Sequence, residues 1–476
     1  MKIKIASLIF VFLVFANFSF ANEALKKSAV EDISKRADEM TSMSDQIWGF
    51  AETALRETKS SKLLADYAEK NGFRVARGVS QMPTAFTAEF GEGKPVIAIL
   101  GEYDALPGIS QKAVSHKEAL VEGAPGHGCG HNLFGVASLA AALAIKDLIE
   151  AGKLKGTIRF YGTPAEESVG GKAYMVRDGL FKDVDIALAW HPDSETKADV
   201  DSSQAMADFR VEFFGKTSHA AFDPWNGKSA LDALELFIHA VNLMREHVRP
   251  TVRIHYVIQK GGNVPNVVPE YAKLWCWVRD SKKARVDELL ERMKKIADGV
   301  AIASGVEVKL TVQAGGPEML INLPGAKLLD ANLRWLGPLD FTESEHEFAR
   351  QIQKEAGGKE VGLDEKITPL PDRLGEPQGG STDVADVSWN VPTLHLSVTT
   401  APGEAPWHAW PVVAAGGMSI GHKGMMYASK ALAATMIDLY LNPEQRDAIK
   451  KDFAERKGTM VYKGYIPEGP PPVPKE

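Results

Sequence analysis

The chain has 476 residues, a formal net charge of -7 and 45% apolar side chains. That is too long for one small core and too apolar for a disordered chain, and it predicts two domains or one domain with a large insertion. Lysine and arginine are spread along the chain without a basic block, which argues against nucleic acid as a partner and for a small molecule or peptide.

Lys2 and Lys4 open the chain, Ile5 to Phe20 form an apolar run, and Ser19-Phe20-Ala21 offers small residues where a signal peptidase reads. The pattern predicts a leader over 1–21, cleaved after Ala21, and a periplasmic or secreted protein that keeps no contact with the membrane. A retained anchor is the alternative, although the run is shorter than the roughly 20 residues a span prefers. No later stretch reads as apolar enough to span.

From Ser28 to about Glu69 apolar residues recur at helical spacing, among them Ile33, Ala37, Met40, Ile47, Leu64 and Tyr67, and Asn71-Gly72 ends the run as a helix cap would. Pro95 to Leu100 reads as a short strand and Leu133 to Ile149 as a strongly apolar helix; Thr157 to Tyr161 and Ile186 to Trp190 read as buried strands. This alternation predicts an α/β fold with a central mixed sheet flanked by helices. Asp104 falls just after the first strand, Glu166 and Glu167 after the second, and His191 after the third, where ligands gather in such folds.

Between Gln204 and Gly315 the texture changes to strands at Ala207–Phe214, Thr251–Gln259, Tyr271–Arg279 and Val306–Val312, with helices at Ser229–Glu246 and Lys282–Ala303. This is a two-layer α+β unit inserted over 205–315, so that the first domain occupies 22–204 and resumes over 316–476. A long apolar helix, Met425–Tyr440, and a proline-rich tail, Pro467–Pro474, close the chain, the tail with the composition of a disordered segment.

The chemistry concentrates in G-H-G-C-G-H-N, Gly126 to Asn132. The chain has only two cysteines, and Cys129 lies between glycines one residue from Gly130-His131, where a tight backbone lets thiolate and imidazole face one metal. A small buried thiol beside a helix-capping histidine is the alternative for that loop taken alone. Adjacent carboxylates at Glu166-Glu167 repel unless a metal holds one and leaves the other to take a proton from water. Joined to Trp190-His191-Pro192, the set reads as a metal-activated hydrolase. Cys276, in W-C-W-V-R, reads as a strand residue, and no disulfide to Cys129 is expected.

These motifs, with G-E-Y-D-A-L-P-G from Gly101, P-A-E-E with G-G-K-A from Pro164, G-K-T-S-H-A-A from Gly215 and G-G-N-V-P-N-V-V-P from Gly261, resemble the aminoacylase and carboxypeptidase superfamily of dinuclear metallopeptidases. Within it the chain is most similar to the amidohydrolase branch that includes the B subunit of aminobenzoyl-glutamate hydrolase. The resemblance implies two divalent ions per subunit, Zn or Mn, with Cys129, His131, Glu167 and His191 as metal ligands and Glu166 as general base. It implies that Asp104 orients the site and that the inserted domain is a lid and dimerisation domain of a homodimer. His219 would reach a neighbouring subunit's site to stabilise the oxyanion, and Asn266 and Arg279 would hold the substrate's carboxylate. For the last metal ligand there are two candidates, His408 after Pro406-Trp407 and His422 after Ser419-Ile420-Gly421; His408 falls where the family's terminal histidine does, leaving His422 as a substrate-binding or supporting residue. Gly379 to Asp383 matches a family loop near the substrate, or is simply a glycine turn before a helix. Where other members carry a histidine two residues before the aspartate, this chain has Glu102, and the thiolate of Cys129 supplies a ligand instead. A thiolate suits zinc, while manganese prefers harder donors.

The activity so implied is hydrolysis of the amide of an N-aroyl or N-acyl amino acid with a free carboxylate, such as aminobenzoyl-glutamate. A dipeptidase or N-acyl-amino-acid deacylase is the neighbouring alternative, as is a subunit that needs a partner chain. A non-catalytic binding protein would lack Glu166 or a ligand, and none is missing here.

Overall fold

The computed structural model describes residues 22–371, 374, 377 and 379–473. The leader over 1–21 lies outside them, as does Pro474 at the end of the tail.

Seven strands, β1 (Arg74–Arg77), β2 (Phe86–Glu92), β3 (Val96–Gly101), β4 (Gly156–Gly162), β5 (Ile186–Asp193), β6 (Lys197–Ala198) and β11 (Thr393–Thr399), form one sheet in the order β1-β2-β4-β3-β5-β11-β6. Its centre, β4-β3-β5-β11, is parallel, and β1, β2 and β6 add antiparallel edges. Every residue of β3 is buried, the continuous apolar run that a strand covered on both faces requires. The sheet is therefore mixed and flanked by helices, as the alternation of elements predicts.

The helix His131–Glu150 is buried almost all round, with only Asp147, Ile149 and Glu150 outside the buried set. It is long and apolar enough to cross a membrane, which corrects the expectation that no later stretch would be; 89% of its apolar window is buried inside the protein, so it is a core helix. It packs against β3, β4, β5 and the helix Ser419–Leu441.

The second sheet takes β7 (Ala205–Phe214), β8 (Arg253–Lys260), β9 (Tyr271–Asp280) and β10 (Glu307–Gly316) in the antiparallel order β10-β7-β9-β8. Along β9 burial alternates residue by residue, because one face meets the helices Ala230–Met244 and Lys283–Ser304 and the other carries Trp275, Trp277 and Arg279. Ser229 caps the first helix by accepting from Asp232 N–H at 3.1 Å. Each sheet has its own apolar core.

The helices Leu323–Leu336, Glu343–Glu355 and Pro443–Lys457 were not expected from periodicity, nor were β1, β2, β6 and β11. Just before the proline-rich tail Tyr462 and Tyr465 bond to Asp386 and Asp287, and within it the Gly469 carbonyl accepts from Arg177 Nη1 at 2.6 Å.

Candidate metal centre

The site is assembled where the parallel strands end. Cys129 sits in the loop that enters the helix His131–Glu150, and Gly130 makes that loop possible: its φ is +76°, and a Cβ there would lie 2.8 Å from the Pro192 side chain. The close approach brings Cys129 Sγ to 3.3 Å from His191 Nε2 on β5. From the far end of the chain, His408 N–H donates to the Gly128 carbonyl at 3.0 Å, and a Cβ on Gly128 would crowd His408 and Ala409 at 3.3 Å. His408 adopts a positive φ of 55°, a conformation rare outside glycine and frequent at functional positions.

Three groups of donor atoms result, each with its atoms within 4.8 Å of one another: Cys129, His131 and His191; Cys129, Glu167 and His408; and Glu102, His131 and Glu166. The first two share the cysteine sulfur, an arrangement that could hold two cations side by side. Their chemistry fits divalent metal, with one soft thiolate among imidazoles and carboxylates. So does their hydrogen bonding. Glu167 Oε1 is buried and finds no hydrogen-bond partner among the described residues, a costly state unless a cation takes it up, while His131 Nε2 and Glu102 Oε2, also buried, face each other at 3.0 Å.

Asp104 orients the centre from beneath. Its Oδ1 accepts from His131 Nδ1 at 2.9 Å and its Oδ2 from the Glu167 N–H at 2.9 Å, so one carboxylate fixes a ring and a backbone. Because the Nδ1 proton faces Asp104, Nε2 of His131 is left as the donor atom.

The electrostatics are those of a negatively overloaded pocket. Burial, then repulsion from Glu102, Glu167 and Asp383, push the Glu166 carboxyl well above its ordinary range. Burial raises Glu167 to about 7 against the pull of His131, and burial pushes the Cys129 thiol up. Burial opposes the His131 cation, but Glu102, Cys129 and Asp104 outweigh it. His191 falls to about 4, by burial and then by His131. Bound cations would relieve this repulsion.

Two residues that the motifs quote without a role complete the surroundings. Lys172 Nζ, fully buried, donates to Glu102 Oε1 at 2.6 Å and Asp383 Oδ1 at 2.6 Å. Sequence reading missed the triad; its one signal was a lysine in G-G-K-A shortly past paired glutamates, within a segment that otherwise reads as buried. Glu57 was missed as well: buried, it accepts from the Ala165 N–H at 3.0 Å and steadies the turn before Glu166.

Not every expected residue joins the centre. His422 Nε2 pairs with Asp45 Oδ1 at 2.9 Å and belongs to none of the three groups, so it ties the helix Ser419–Leu441 to Ala37–Phe50. His219 and Asn266 lie exposed in the second sheet's loops, where His219 bridges to Val267 and the Asn266 carbonyl accepts from Ala220 N–H at 3.0 Å. Arg279, on β9, stacks over Trp277 at 5.3 Å. His219 is not among the groups around Cys129. His127, beside Cys129, is likewise apart, its Nε2 3.0 Å from the Ile47 carbonyl. Both cysteines are free.

Comparison with known proteins gives a consistent answer. Peptidase family M20/M25/M40 matches residues 98–409. The chain is 36% identical over 462 residues to the B subunit of p-aminobenzoyl-glutamate hydrolase from Escherichia coli (strain K12), covering 91% of this chain and 96% of that one. It is 29% identical to the Xaa-Arg dipeptidase of Homo sapiens over 90% of this chain and 92% of that one. Among solved structures, a dinuclear metal binding peptidase of the M20 family from Bacillus subtilis shares the fold at a TM-score of 0.59 and 18% identity, covering 86% of this chain and 99% of the other. The aminobenzoyl-glutamate utilization protein from Klebsiella pneumoniae does so at 0.56 and 17%, covering 87% and 97%. With a family match over most of its length and the donor groups that such chemistry needs, the chain belongs to peptidase family M20/M25/M40 and is a metal-dependent hydrolase of amide bonds.

Proposed function

We propose that the protein hydrolyses the amide joining an aroyl or acyl group to an amino acid with a free carboxylate, with p-aminobenzoyl-glutamate as the type substrate. The observation that carries this reading is Glu166, a carboxyl of raised proton affinity grouped with His131 and Glu102 beside the Cys129-centred donors. Cys129, His131 and His191 would hold one divalent ion, and Cys129, Glu167 and His408 a second. Bound there, the ions supply Lewis acidity at the amide carbonyl and lower the pKa of water. The shared thiolate favours zinc over manganese.

Glu166 would take a proton from the attacking water and return it to the leaving amine, a role that suits a carboxyl with a strong hold on protons. His219 is already set as a donor: its Nδ1 accepts from the Ala221 and Phe222 N–H groups at 3.2 and 3.0 Å, so the ring proton sits on Nε2, ready for an oxyanion. Arg279 is half-buried, burial lowers its pKa, and no acidic partner is found for it among the described residues, which suits a cation reserved for a substrate carboxylate, with Asn266 alongside. The exposure of His219, which is not among the Cys129 donor groups, supports a homodimer in which it serves the neighbouring subunit. Similarity to one named subunit of a hydrolase supports testing a second chain as well. Export to the periplasm or beyond is proposed on the leader over 1–21. A dipeptidase is the second reading, favoured by the near full-length similarity to an Xaa-Arg dipeptidase.

Glu166→Gln is expected to keep its metal, read by elemental analysis, while turnover of p-aminobenzoyl-glutamate falls by roughly 10²–10⁴-fold. Full activity in that variant overturns the assignment.

A further inference from the structure

His191 has a second neighbourhood. Besides meeting Cys129, it borders a cavity of about 240 Å³ whose wall is apolar at Phe134, Met319, Ile321 and Val384 and polar at Asp199 and His395. A space of that size beside a reacting centre accommodates a substituted ring or a long side chain.

The polar wall is built rather than incidental. His395 and Ser397 lie two residues apart on β11 and so share a face of the sheet. β6 pairs antiparallel with β11, and Asp199, the next residue, donates its N–H to the His395 carbonyl at 2.9 Å. Its carboxylate then accepts from His395 Nδ1 at 2.5 Å and from Ser397 Oγ at 3.0 and 3.1 Å. The side chains are mostly buried, with 10% of Asp199 and 16% of His395 exposed.

What this wall offers a ligand follows from counting lone pairs. A carboxylate has about four acceptor sites, and Asp199 fills only part of them. In the neutral ring, with its Nδ1 proton turned to Asp199, His395 presents an Nε2 lone pair, for which no partner is found among the described residues. No lysine or arginine pairs with Asp199 among the described residues. The nearest candidate, Lys197, is taken by Glu195 at 2.6 Å and Asp201 at 3.3 Å. Asp199 and His395 therefore cluster acceptors at one end of the chamber, while the hydroxyls of Ser202, Ser203, Ser381 and Thr382, which also line it, can donate as well as accept.

We propose that this cavity is a specificity subsite for a substrate group that carries an amino or guanidino nitrogen on a flat or straight apolar stem. The stem packs on Phe134, Met319, Ile321 and Val384, and the N–H groups are received by Asp199 and His395. The inference rests on the amide-hydrolase reading above and adds to it the chemistry of the group beside the scissile bond. Such a nitrogen can enter from the acyl side, as an aminoaroyl group, or from the amino-acid side, as arginine or lysine.

The test uses the metal-loaded full chain and two matched substrate pairs: 4-aminobenzoyl-glutamate against benzoyl-glutamate, and an alanyl-arginine against an alanyl-norleucine dipeptide. In the wild type, kcat/KM is expected to favour the nitrogen-bearing member of one pair by roughly 10–100-fold, the worth of a hydrogen bond to a charged group. The pair that discriminates names the side from which the group enters. In Asp199→Asn that ratio is expected to fall at least about tenfold, with metal content and melting midpoint recorded alongside. A wild-type ratio near one in both pairs, or a ratio that survives the substitution, overturns the proposal. Should Asp199→Asn fail to fold or load, Met319→Trp fills the chamber without touching the Asp199–His395 pair, and the ratio must collapse there instead. If the wild type cleaves no amide at all, the hydrolase reading fails by itself. Calorimetric binding of 4-aminobenzoate against benzoate, and of arginine against norleucine, then decides the subsite, with equal binding within both pairs overturning it.

Discussion

Replacing Lys172 by methionine should be among the most damaging single changes to this protein, for a reason visible in two distances. Lys172 Nζ lies 2.6 Å from Glu102 Oε1 and 2.6 Å from Asp383 Oδ1, and neither the lysine nor Glu102 is more than 1% exposed. Methionine keeps the apolar stem but leaves Asp383 without a cation and Glu102 with His131 alone, 3.0 Å away. Removing one partner of a buried ion pair costs about 3–5 kcal/mol. For a chain of this length, with an unfolding entropy of about 1 kcal/mol/K, that corresponds to a fall in melting midpoint of roughly 3–5 °C. The pH dependence has a definite sign. Burial already raises the Asp383 carboxyl, and without Lys172 it rises further, so the deficit is small below about pH 4 and grows as the pH rises toward the folded value. Scanning calorimetry from pH 4 to pH 8 reads this directly. Adding Glu102→Gln to Lys172→Met removes one stranded charge and should recover part of the lost stability at pH 7. A Lys172→Met protein that melts within about 1 °C of the wild type at pH 7, or a double variant less stable than the single by the full additive amount, refutes the reasoning.

Cys129→Ser removes the donor common to both metal groups, so elemental analysis of the purified variant should show loss of both ions rather than one. Gly130→Ala would place a Cβ 2.8 Å from Pro192 at a φ of +76°, with a cost of about 1–3 kcal/mol that falls on the cysteine loop; weakened metal retention under chelator challenge checks it. Glu345 links Thr342, Ser419 and Lys423. Burial would raise its pKa, but those partners lower it to about 2 from a model-peptide value of 4.5. Its stabilising contribution should therefore be whole above about pH 4.5 and be lost as the pH falls toward 2, and Glu345→Gln should flatten that part of the acid unfolding curve.

How much of the fold and site is legible in the sequence depends on distance along the chain. The end of a buried strand and the start of an apolar helix are local signals, and they locate Asp104, Cys129, His131, Glu166, Glu167 and His191 on the elements that carry them. The contrast between His408 and His422 is not local. It turns on one backbone hydrogen bond from His408 to Gly128 and on the pairing of His422 with Asp45, and no spacing rule reports either. The Lys172–Asp383 contact spans 211 positions, and Glu57 reaches Ala165 across 108, so their roles are invisible until the sheet brings them together. β6 has two residues, too few for any period to register.

The place of β11 in the sheet bears on how the protein can be made. Thr196 and Thr399 meet at 3.2 Å although 203 residues separate them, and the second sheet in its entirety lies in that interval. During synthesis from the N-terminus, β5 must wait with one edge unpaired until the whole inserted domain has left the ribosome. An unpaired strand with an apolar run such as Ile186 to Trp190 is a template for wrong partners. Gene fragments that stop at the insertion would carry this open edge permanently, while the inserted domain, with its own antiparallel sheet and core, has what it needs to be produced apart.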